Sequence, residues 1–276
     1  VTAGDATTYA IRSDGSLWSW GWNEKGQGGN GVSERTATPT LADGNRVWKK
    51  AVGGKAYGFF LAEDGSLWAA GTHEGGVQGT NDGIDHKVLT RIGTDNDWAD
   101  MACSRFWGYS GFAIKTNGTL WAWGKNSAGQ LGIGNTQAQT APVQVGADMD
   151  WKQVAAGCSS VLALKTDGSL WGWGFNMYSE LFGHEGKQLS PVRLGSETDW
   201  EQVVVIDFRA YAVKKDGTLW AWGDNANNLL GFNTPTEEET TAEGNPVEVV
   251  TVPQITAPTH VTSIEGKVLT ISGCEN

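Results

Sequence analysis

The stretch Asp14-Gly15-Ser16-Leu17-Trp18-Ser19-Trp20-Gly21 decides the fold, because closely similar stretches return four more times. The copies lie at 64–71, 117–124, 167–174 and 216–223. The first Trp of each copy stands at position 18, 68, 121, 171 or 220, so the period is about fifty residues. A period of this length is typical of proteins built from repeated structural units.

Each copy predicts a β-hairpin. Asp-Gly or Asn-Gly between two alternating apolar runs is a strong hairpin signal, because the tight turn needs residues that accept positive φ. The run at 8–11 precedes the first turn, and the run at 17–20 follows it. Side chains alternate between the two faces of a strand, so Trp18 and Trp20 share one face.

Two further strands complete the unit. One opens at a Trp that recurs ahead of the turns, at Trp48, Trp98, Trp151 and Trp200. The other is a short run marked by proline, at 141–145, 190–194 and 245–249. Proline suits an edge strand, because it has no N–H to donate. Four-stranded antiparallel sheets repeated about an axis form a β-propeller, so the sequence predicts an all-β fold in a single domain, 1–276.

Counting along the period predicts six blades. Five clear repeats lie at about 1–47, 48–97, 98–150, 151–199 and 200–248. A degenerate sixth copy is predicted at 249–273, with Val249 in the place of the opening Trp and Leu269 one period after Trp220. We expect strands from the two termini to meet and close the ring. The alternative is that residues 259–273 form a separate terminal hairpin.

The loop after the hairpin carries a family resemblance. Residues 125–132 contain the pattern Asn-x-x-Gly-Gln-Leu-Gly, and 22–28 contain a close version, whereas Thr72-His73-Glu74-Gly75 lacks the Asn. Together with the Asp-Gly turn and Leu-Trp-x-Trp-Gly, this pattern resembles the regulator-of-chromosome-condensation repeat over about residues 1–250. The resemblance implies a propeller, usually of seven blades. It transmits no functional site, because one fold hosts many functions.

The composition argues against several functions. A formal net charge of −11 argues against nucleic-acid binding, which uses basic patches, and against anionic membrane surfaces. No apolar run reaches the roughly 18 residues of a transmembrane helix. The four His are scattered, and three Cys form no disulfide framework, so we expect no metal and no cofactor. Cys103 and Cys158 are expected to be buried free thiols. The acidic composition and Val1 favour an extracellular or cell-surface location.

Topology separates two rims. With strands A to D counted outward from the axis, the A–B and C–D loops form one rim, here called the variable rim. The Asp-Gly turns and the D–A links form the other, the turn rim, which is monotonous in sequence. Exposed aromatic and arginine side chains are typical interface anchors. The predicted partner-binding residues on the variable rim are Trp22, Tyr57, Arg105, Phe106, Trp107, Tyr109, Tyr178, Phe208 and Arg209.

Exposure is the open question for some of these rings. Phe106 and Phe208 either project outward or fold back to plug the channel. Trp107 is expected to be exposed, because the third repeat holds three extra residues in this region.

The sequence favours a non-catalytic binding propeller with a protein partner on the variable rim. One alternative is carbohydrate binding, with Trp22, Trp107 and Tyr178 as stacking platforms. Another is a secreted enzyme inhibitor that uses the same rim. An enzyme with Asp5, Asp207 and Arg209 at the channel mouth is disfavoured, because the sequence shows no nucleophile–base pair.

Overall fold

The recurring hairpins form the centres of five four-stranded antiparallel sheets, which confirms the predicted all-β class of four-stranded blades. The computed structural model describes residues 1–105, 108–232, 238–240, 246–248, 254–262, 268 and 271. Short 3₁₀ helices occupy Glu74–Gly76 and Ala226–Asn228.

The strands follow one another from the axis outward. Blade 1 contains β1 (Thr2–Ala3), β2 (Thr7–Ile11), β3 (Leu17–Gly21) and β4 (Thr36–Asp43). Blade 2 contains β5 (Trp48–Gly53), β6 (Tyr57–Ala62), β7 (Leu67–Gly71) and β8 (His86–Arg91). Blade 3 contains β9 (Trp98–Cys103), β10 (Ser110–Lys115), β11 (Leu120–Gly124) and β12 (Gln139–Gln144). Blade 4 contains β13 (Trp151–Ala156), β14 (Ser160–Lys165), β15 (Leu170–Asn176) and β16 (Gly186–Arg193). Blade 5 contains β17 (Trp200–Ile206), β18 (Arg209–Lys214), β19 (Leu219–Asp224) and β22 (Gln254–His260). Between β19 and β22 the chain forms a separate two-stranded hairpin of β20 (Glu238–Thr240) and β21 (Pro246–Glu248).

The Asp-Gly turn is closed by its own side chains. Asp14 Oδ1 accepts from Ser16 N at 2.9 Å and from Ser16 Oγ at 2.6 Å, and Ser16 Oγ accepts from Trp18 Nε1 at 2.9 Å. Gly15 follows Asp14 with φ +83°, a conformation that favours glycine. The same chain of bonds recurs in the other four repeats. The stretch at 14–21 therefore repeats as a unit, because its residues together set the turn, the bonds that close the turn and the orientation of the first Trp.

In blades 3, 4 and 5 the second Trp of the repeated stretch forms a hydrogen bond to the preceding blade. Trp123 Nε1 donates to the Val77 carbonyl of the preceding blade at 2.7 Å. Trp173 donates in the same way to Gln130 O at 2.8 Å, and Trp222 to Glu180 O at 2.7 Å. All three indoles are fully buried. Each removes about 150–250 Å² from water, so these indoles contribute strongly to the cohesion between blades.

At the seam between blades 1 and 2 no Trp of blade 2 reaches the loop carbonyl of blade 1, which accepts from a tyrosine of its own blade. Blade 2 carries Ala70 where other blades carry the second Trp, and Tyr9 of blade 1 donates its hydroxyl to Gln27 O at 3.0 Å. Tyr211 holds the same position in blade 5 and donates to Leu229 O at 2.7 Å. Trp20 of blade 1 is half-buried, and no hydrogen-bond partner for its indole N–H is found in the described part of the chain.

The predicted boundaries of the last two repeats are wrong. Residues 245–249 were expected to form the outer strand of blade 5, but Pro246–Glu248 pairs with Glu238–Thr240. The outer strand is β22, which pairs with β19 through Trp220 and His260. A long C–D connection that contains the β20–β21 hairpin therefore separates β19 from β22, and the outer strand of blade 5 comes later in the chain than the repeat period predicts.

Two residues after β22, Val268 and Ile271, make hydrogen bonds that match those of an opening strand. Trp200 N donates to Gly168 O at 3.2 Å, and Val268 N donates to Gly217 O at 3.0 Å in the corresponding place. Ile271 N donates to Gln202 Oε1 at 3.1 Å, as Val203 N does to Gln153 Oε1 at 3.0 Å. Val268, and not Val249, therefore occupies the position of the opening Trp after blade 5.

The ring closure expected from the termini is not found in the described residues. Core clusters join blade 1 to 2, 2 to 3, 3 to 4 and 4 to 5, and within the ranges given above none joins blade 5 to blade 1. Thr2 and Ile271 nevertheless line one central channel together with the A strands of blades 2 to 5. The innermost strands thus surround a common axis, as predicted for a propeller.

Candidate functional site

Lysines and aspartates of the turn rim satisfy one another. Lys115 Nζ lies 2.6 Å from Asp95 Oδ2 and 3.0 Å from Asp97 Oδ1, and 4.8 Å and 5.0 Å from the ring centroids of Trp98 and Trp121. Burial opposes protonation here, but the two carboxylates outweigh it and raise the pKa of Lys115. Lys165 repeats the arrangement in blade 4, and Lys214 does so with one aspartate in blade 5. We call these arrangements the lysine cages.

Blade 2 fills its cage differently. Ala62 stands where the lysine would be, opposite Trp48. Arg46 from the preceding link takes its place, with its guanidinium 4.0 Å from the centroid of Trp68 and 2.8 Å from Asp43 Oδ2. Ion pairs and Asx turns therefore occupy these charged groups of the turn rim.

Four large apolar side chains lie on loops of the variable rim of blades 4 and 5, and two of them are in ring contact. The rings of Tyr178 and Phe208 contact each other, with centroids 4.8 Å apart at 47°. Met177, beside Tyr178 in the chain, is 47% exposed, and Leu229 on the C–D loop of blade 5 is 51% exposed. Large exposed apolar side chains on adjacent loops are typical of interaction surfaces. We call these four residues the rim cluster.

Unusual backbone conformations support the rim cluster. Ser179 has φ +66° and Asp207 has φ +54°, a region that is uncommon for residues other than glycine. Asp207 also pairs with Arg209 at 3.2 Å, and Cys158 Sγ lies 3.6 Å from Asp207 Oδ1. The loops that present Tyr178 and Phe208 are therefore held by local contacts in fixed positions.

A carboxyl group is buried beneath the cluster. Glu180 is fully buried, where its Oε2 accepts from Tyr178 N at 2.8 Å and its Oε1 from Ser160 Oγ at 3.2 Å. Burial is the main reason that the pKa of Glu180 is raised, and the nearby charge of Asp224 adds to it. Glu180 stands where blades 1 and 3 have Gln27 and Gln130. It therefore fixes the Tyr178 loop from below.

Two predicted binding residues are buried, which corrects the expectation that they face a partner. Tyr57 is 0% exposed and donates its hydroxyl to the Ser104 carbonyl. Tyr109 is 5% exposed, and its ring centroid lies 5.9 Å from that of Tyr57. Both rings belong to the core cluster between blades 2 and 3. Their loop positions face the neighbouring blade rather than solvent.

The remaining predicted residues divide into three groups. Tyr178, Phe208 and Arg209 meet at blades 4 and 5, as described above. Trp22 is half-buried on blade 1, with its backbone N–H bonded to Ala6 O at 2.7 Å, and Arg105 lines the central channel. Phe106 and Trp107 lie outside the described residues, so their predicted role stays a prediction.

Sequence reasoning did not assign three residues of this site. Leu229 replaces the loop Gln of the repeat, and Glu180 replaces it with an acid. Asp224 donates its backbone N–H to Phe208 O at 3.0 Å and so adjoins the loop that carries Phe208. The available signal was departure from the Gln-Leu-Gly pattern, which marks the loops of blades 4 and 5.

Metal and redox sites find little support in the described part of the chain. Within it, no group of three or more His, Cys, Asp or Glu side chains is arranged to hold a metal ion. Neither Cys103 nor Cys158 forms a disulfide bond in the described structure. Cys103 is buried as predicted, and this burial raises the pKa of its thiol to about 12, whereas Cys158 is half-buried. Across the same residues, no helix has the length and apolarity to span a membrane.

Comparison with known sequences finds the same repeat. A family model described as the regulator of chromosome condensation (RCC1) repeat matches residues 117–164, and a second model with that description matches residues 1–27. The chain is 29% identical over 161 residues to the ultraviolet-B receptor UVR8 of Arabidopsis thaliana, a match that covers 57% of this chain and 36% of UVR8. It is 33% identical over 150 residues to the mitochondrial RCC1 domain-containing protein RUG3 of the same plant, covering 52% and 33%.

Solved structures show the same fold. Yeast RCC1 (Prp20), in its complex with Kap60, matches with a TM-score of 0.76 and 19% identity over 94% of this chain and 59% of that chain. Human WBSCR16 matches with a TM-score of 0.74 and 17% identity over 94% and 65%. This chain thus spans less than two thirds of each of these four proteins. Repeat pattern, blade architecture and matches agree: the chain contains RCC1 repeats, and its fold is that of the RCC1-like β-propellers.

Proposed function

We propose that this chain is a non-catalytic propeller that binds a protein partner through the rim cluster, Met177, Tyr178, Phe208 and Leu229. The observation that carries this proposal is the contact between the half-buried Tyr178 and Phe208 rings on the variable rim, with Met177 exposed beside Tyr178 and Leu229 exposed on the C–D loop of blade 5. Aromatic side chains with a buried body and an accessible edge are common hot spots of protein interfaces.

Two matched structures support a protein-binding role in general. One shows yeast RCC1 bound to Kap60, and the other is Prp20p from Saccharomyces cerevisiae, a protein with binding properties to Gsp1p and histones. These partners belong to those proteins. Their relevance here is that the same blade architecture supports protein recognition, while the recognition surface of this chain is argued from its own loops.

The alternative functions receive less support. Carbohydrate binding would use Trp22 and Tyr178, but these lie on blades 1 and 4, and no contact in the described structure joins them. Catalysis by Asp207 and Arg209 is disfavoured because these side chains pair with each other. The described His side chains contact carboxylates, a backbone carbonyl and a Trp ring rather than a nucleophile. Enzyme inhibition through this rim would be one form of protein binding.

The test is affinity capture with matched variants. Tyr178→Ala combined with Phe208→Ala removes the centre of the rim cluster, so we expect proteins enriched by the unmodified chain to be lost. Removal of a hot-spot pair costs about 2 kcal/mol or more in binding, which is a loss of about thirtyfold.

The control variant is Met149→Ala. Met149 is 60% exposed on a D–A link of the turn rim, so its removal changes exposed apolar area away from the proposed site. Capture that survives the double variant, or that Met149→Ala reduces equally, would contradict the proposal. A third variant, Trp107→Ala, tests the residue that the sequence favoured most.

A further inference from the structure

One residue in each C–D loop offers its backbone carbonyl to a side-chain donor. The corresponding residues in blades 1 to 5 are Gln27, Val77, Gln130, Glu180 and Leu229. Trp123, Trp173 and Trp222 reach across a seam to the carbonyls of blades 2, 3 and 4. The carbonyls of blades 1 and 5 accept from Tyr9 and Tyr211 of their own blades. Each of these five loop carbonyls therefore already has one side-chain donor.

The third residue of strand B matches the kind of donor that each loop carbonyl receives. It is a tyrosine in blades 1 and 5, where Tyr9 and Tyr211 fill the carbonyl. In blades 2, 3 and 4 it has no hydroxyl, being Phe59, Phe112 or Leu162. The carbonyls of those three blades accept from the Trp of the following blade instead. After blade 1, whose carbonyl is filled from within, the following blade carries Ala70 in place of the second Trp.

Trp20 is the donor that this matching leaves over. It holds the second Trp position of blade 1, and its indole N–H has no partner in the described residues. Thr8 and Ala10, on the same face of the sheet, are only partly buried. Their counterparts in blade 4, Val161 and Ala163, are fully buried in the core cluster between blades 3 and 4. The face of blade 1 thus has the groups with which later blades receive the loop of the blade before them.

Blade 5 does not match this face. Its loop carbonyl, Leu229 O, accepts from Tyr211 at 2.7 Å, which is the arrangement found in the seam where Tyr9 is followed by Ala70. A carbonyl oxygen can accept a second bond, but none of the five loop carbonyls receives a second side-chain donor within the described ranges. A second copy of the chain would offer the same five carbonyls. Donor matching therefore argues against blade 5, of this chain or of a second copy, as the partner of Trp20.

We propose that the face formed by Thr8, Ala10 and Trp20 docks a further RCC1-type blade that stands before blade 1 in the ring, and that it selects a blade without tyrosine at the third residue of strand B. The loop carbonyl of such a blade accepts from Trp20, and its apolar face covers Thr8 and Ala10. A blade with a filled carbonyl would bury the indole N–H without an acceptor, which costs free energy. This face is separate from the rim cluster, so the inference does not depend on the proposed function.

Two extended chains test this selection. Both carry a copy of residues 48–100 directly before Val1, which supplies the four strands of blade 2 and the first three residues of the next strand A. Val1 then continues that strand in the register that Met101 has in blade 3. In the first chain the copied Val77 carbonyl faces Trp20. In the second the copy carries Phe59→Tyr, which adds one hydroxyl at the position of Tyr9.

The exchange rate of the Trp20 indole N–H, followed by NMR with labelled tryptophan, measures docking. We expect it to slow at least about tenfold in the first chain, because the N–H becomes buried and bonded, and to stay fast in the second. Trp20→Phe identifies the signal. Unchanged exchange in the first chain, or equal slowing in both, would overturn the inference. Slowing that develops in the unmodified chain as its concentration rises would show a second copy on this face and would also overturn it.

Thermal unfolding of the two extended chains gives a second readout. Trp20→Ala should lower the Tm of the first chain by more than that of the second. The reason is that the second chain then has the tyrosine and alanine pairing of Tyr9 with Ala70, whereas the first has a loop carbonyl without a donor. Equal losses in both chains would show that the seam does not select its blade by this hydrogen bond, and the inference would fail.

Discussion

The carboxyl group of Glu180 occupies a place where the repeat normally has an amide. In blade 3 the side-chain amide of Gln130 both accepts and donates a hydrogen bond. Its Oε1 accepts from Ala128 N at 2.9 Å, and its Nε2 donates to Gly108 O at 3.4 Å. An ionised carboxylate can only accept. Glu180 therefore keeps the bond to Tyr178 N but loses the donor, and it places a charge where burial disfavours one.

We predict that Glu180→Gln stabilises the fold at neutral pH by about 1 kcal/mol. The pKa of Glu180 in the folded chain is raised above its ordinary value of 4.5, so the folded state binds the proton more tightly than the unfolded state. Its contribution to stability is then fully present below that ordinary value and is lost as pH rises through the folded pKa.

The measurement is urea denaturation of both proteins at acidic and neutral pH. The stability difference between variant and unmodified chain should grow from acidic to neutral pH. Comparing the two proteins cancels the titration of other groups, such as Asp14, whose hydrogen bonds to Ser16 lower its pKa. A difference independent of pH would show that Glu180 is already ionised, or already neutral, throughout this range.

The strand C of each blade acts as a connector between neighbours. Its first Trp bonds within its own turn, and its second Trp reaches the C–D loop of the preceding blade. Blades 3, 4 and 5 follow this rule, whereas the loop carbonyl of Gln27 in blade 1 accepts from Tyr9 of the same blade. The exception shows that the loop carbonyl must be satisfied, but not always by the same donor.

We predict that Trp173→Phe destabilises the fold by about 2–3 kcal/mol, because it leaves a small cavity and an unpaired Gln130 carbonyl. The matched variant is Trp20→Phe, at the same position of blade 1. Trp20 is half-buried, and its indole N–H has no partner in the described residues, so the loss should stay below about 1 kcal/mol. Thermal unfolding of both variants gives the comparison, and equal losses would contradict the role assigned to the seam bond.

At the scale of the whole molecule, the blades differ in how many neighbours they have. Blades 2, 3 and 4 each pack between two others, whereas blade 1 shares a core cluster with blade 2 alone in the described structure. The face of blade 1 that carries Thr8, Ala10 and Trp20 is partly exposed, although the corresponding faces of later blades are buried. Local stability should follow this asymmetry, since burial of apolar area is its main source.

Native-state hydrogen exchange should therefore show slower amide exchange in the central blades than in blade 1. We expect the amides of β10 and β14 to exchange most slowly, and those of β2 and β3 at least about tenfold faster, because blade 1 packs against fewer described neighbours and can unfold locally. Mass spectrometry of peptic fragments measures both sets in one experiment. Uniform protection of blade 1 and blades 3 and 4 would show that the molecule opens as one unit.

The central hairpins were predictable because each contains all of its own determinants. Asp14, Gly15, Ser16 and Trp18 are close together in the chain, so turn, cap and strand could be read together. Tyr57 and Tyr109 were misplaced because their environment is set by the neighbouring blade. Counting failed in blade 5, where the inserted hairpin breaks the period and moves the next opening position to Val268.

The two rims lie at opposite ends of the blades, which has a practical consequence for immobilising the protein. A linker attached at Met149 would extend from the turn rim, where Asx turns and ion pairs such as Lys165–Asp148 lie. Every molecule on a sensor surface would then present Tyr178 and Phe208 to the solution in the same orientation.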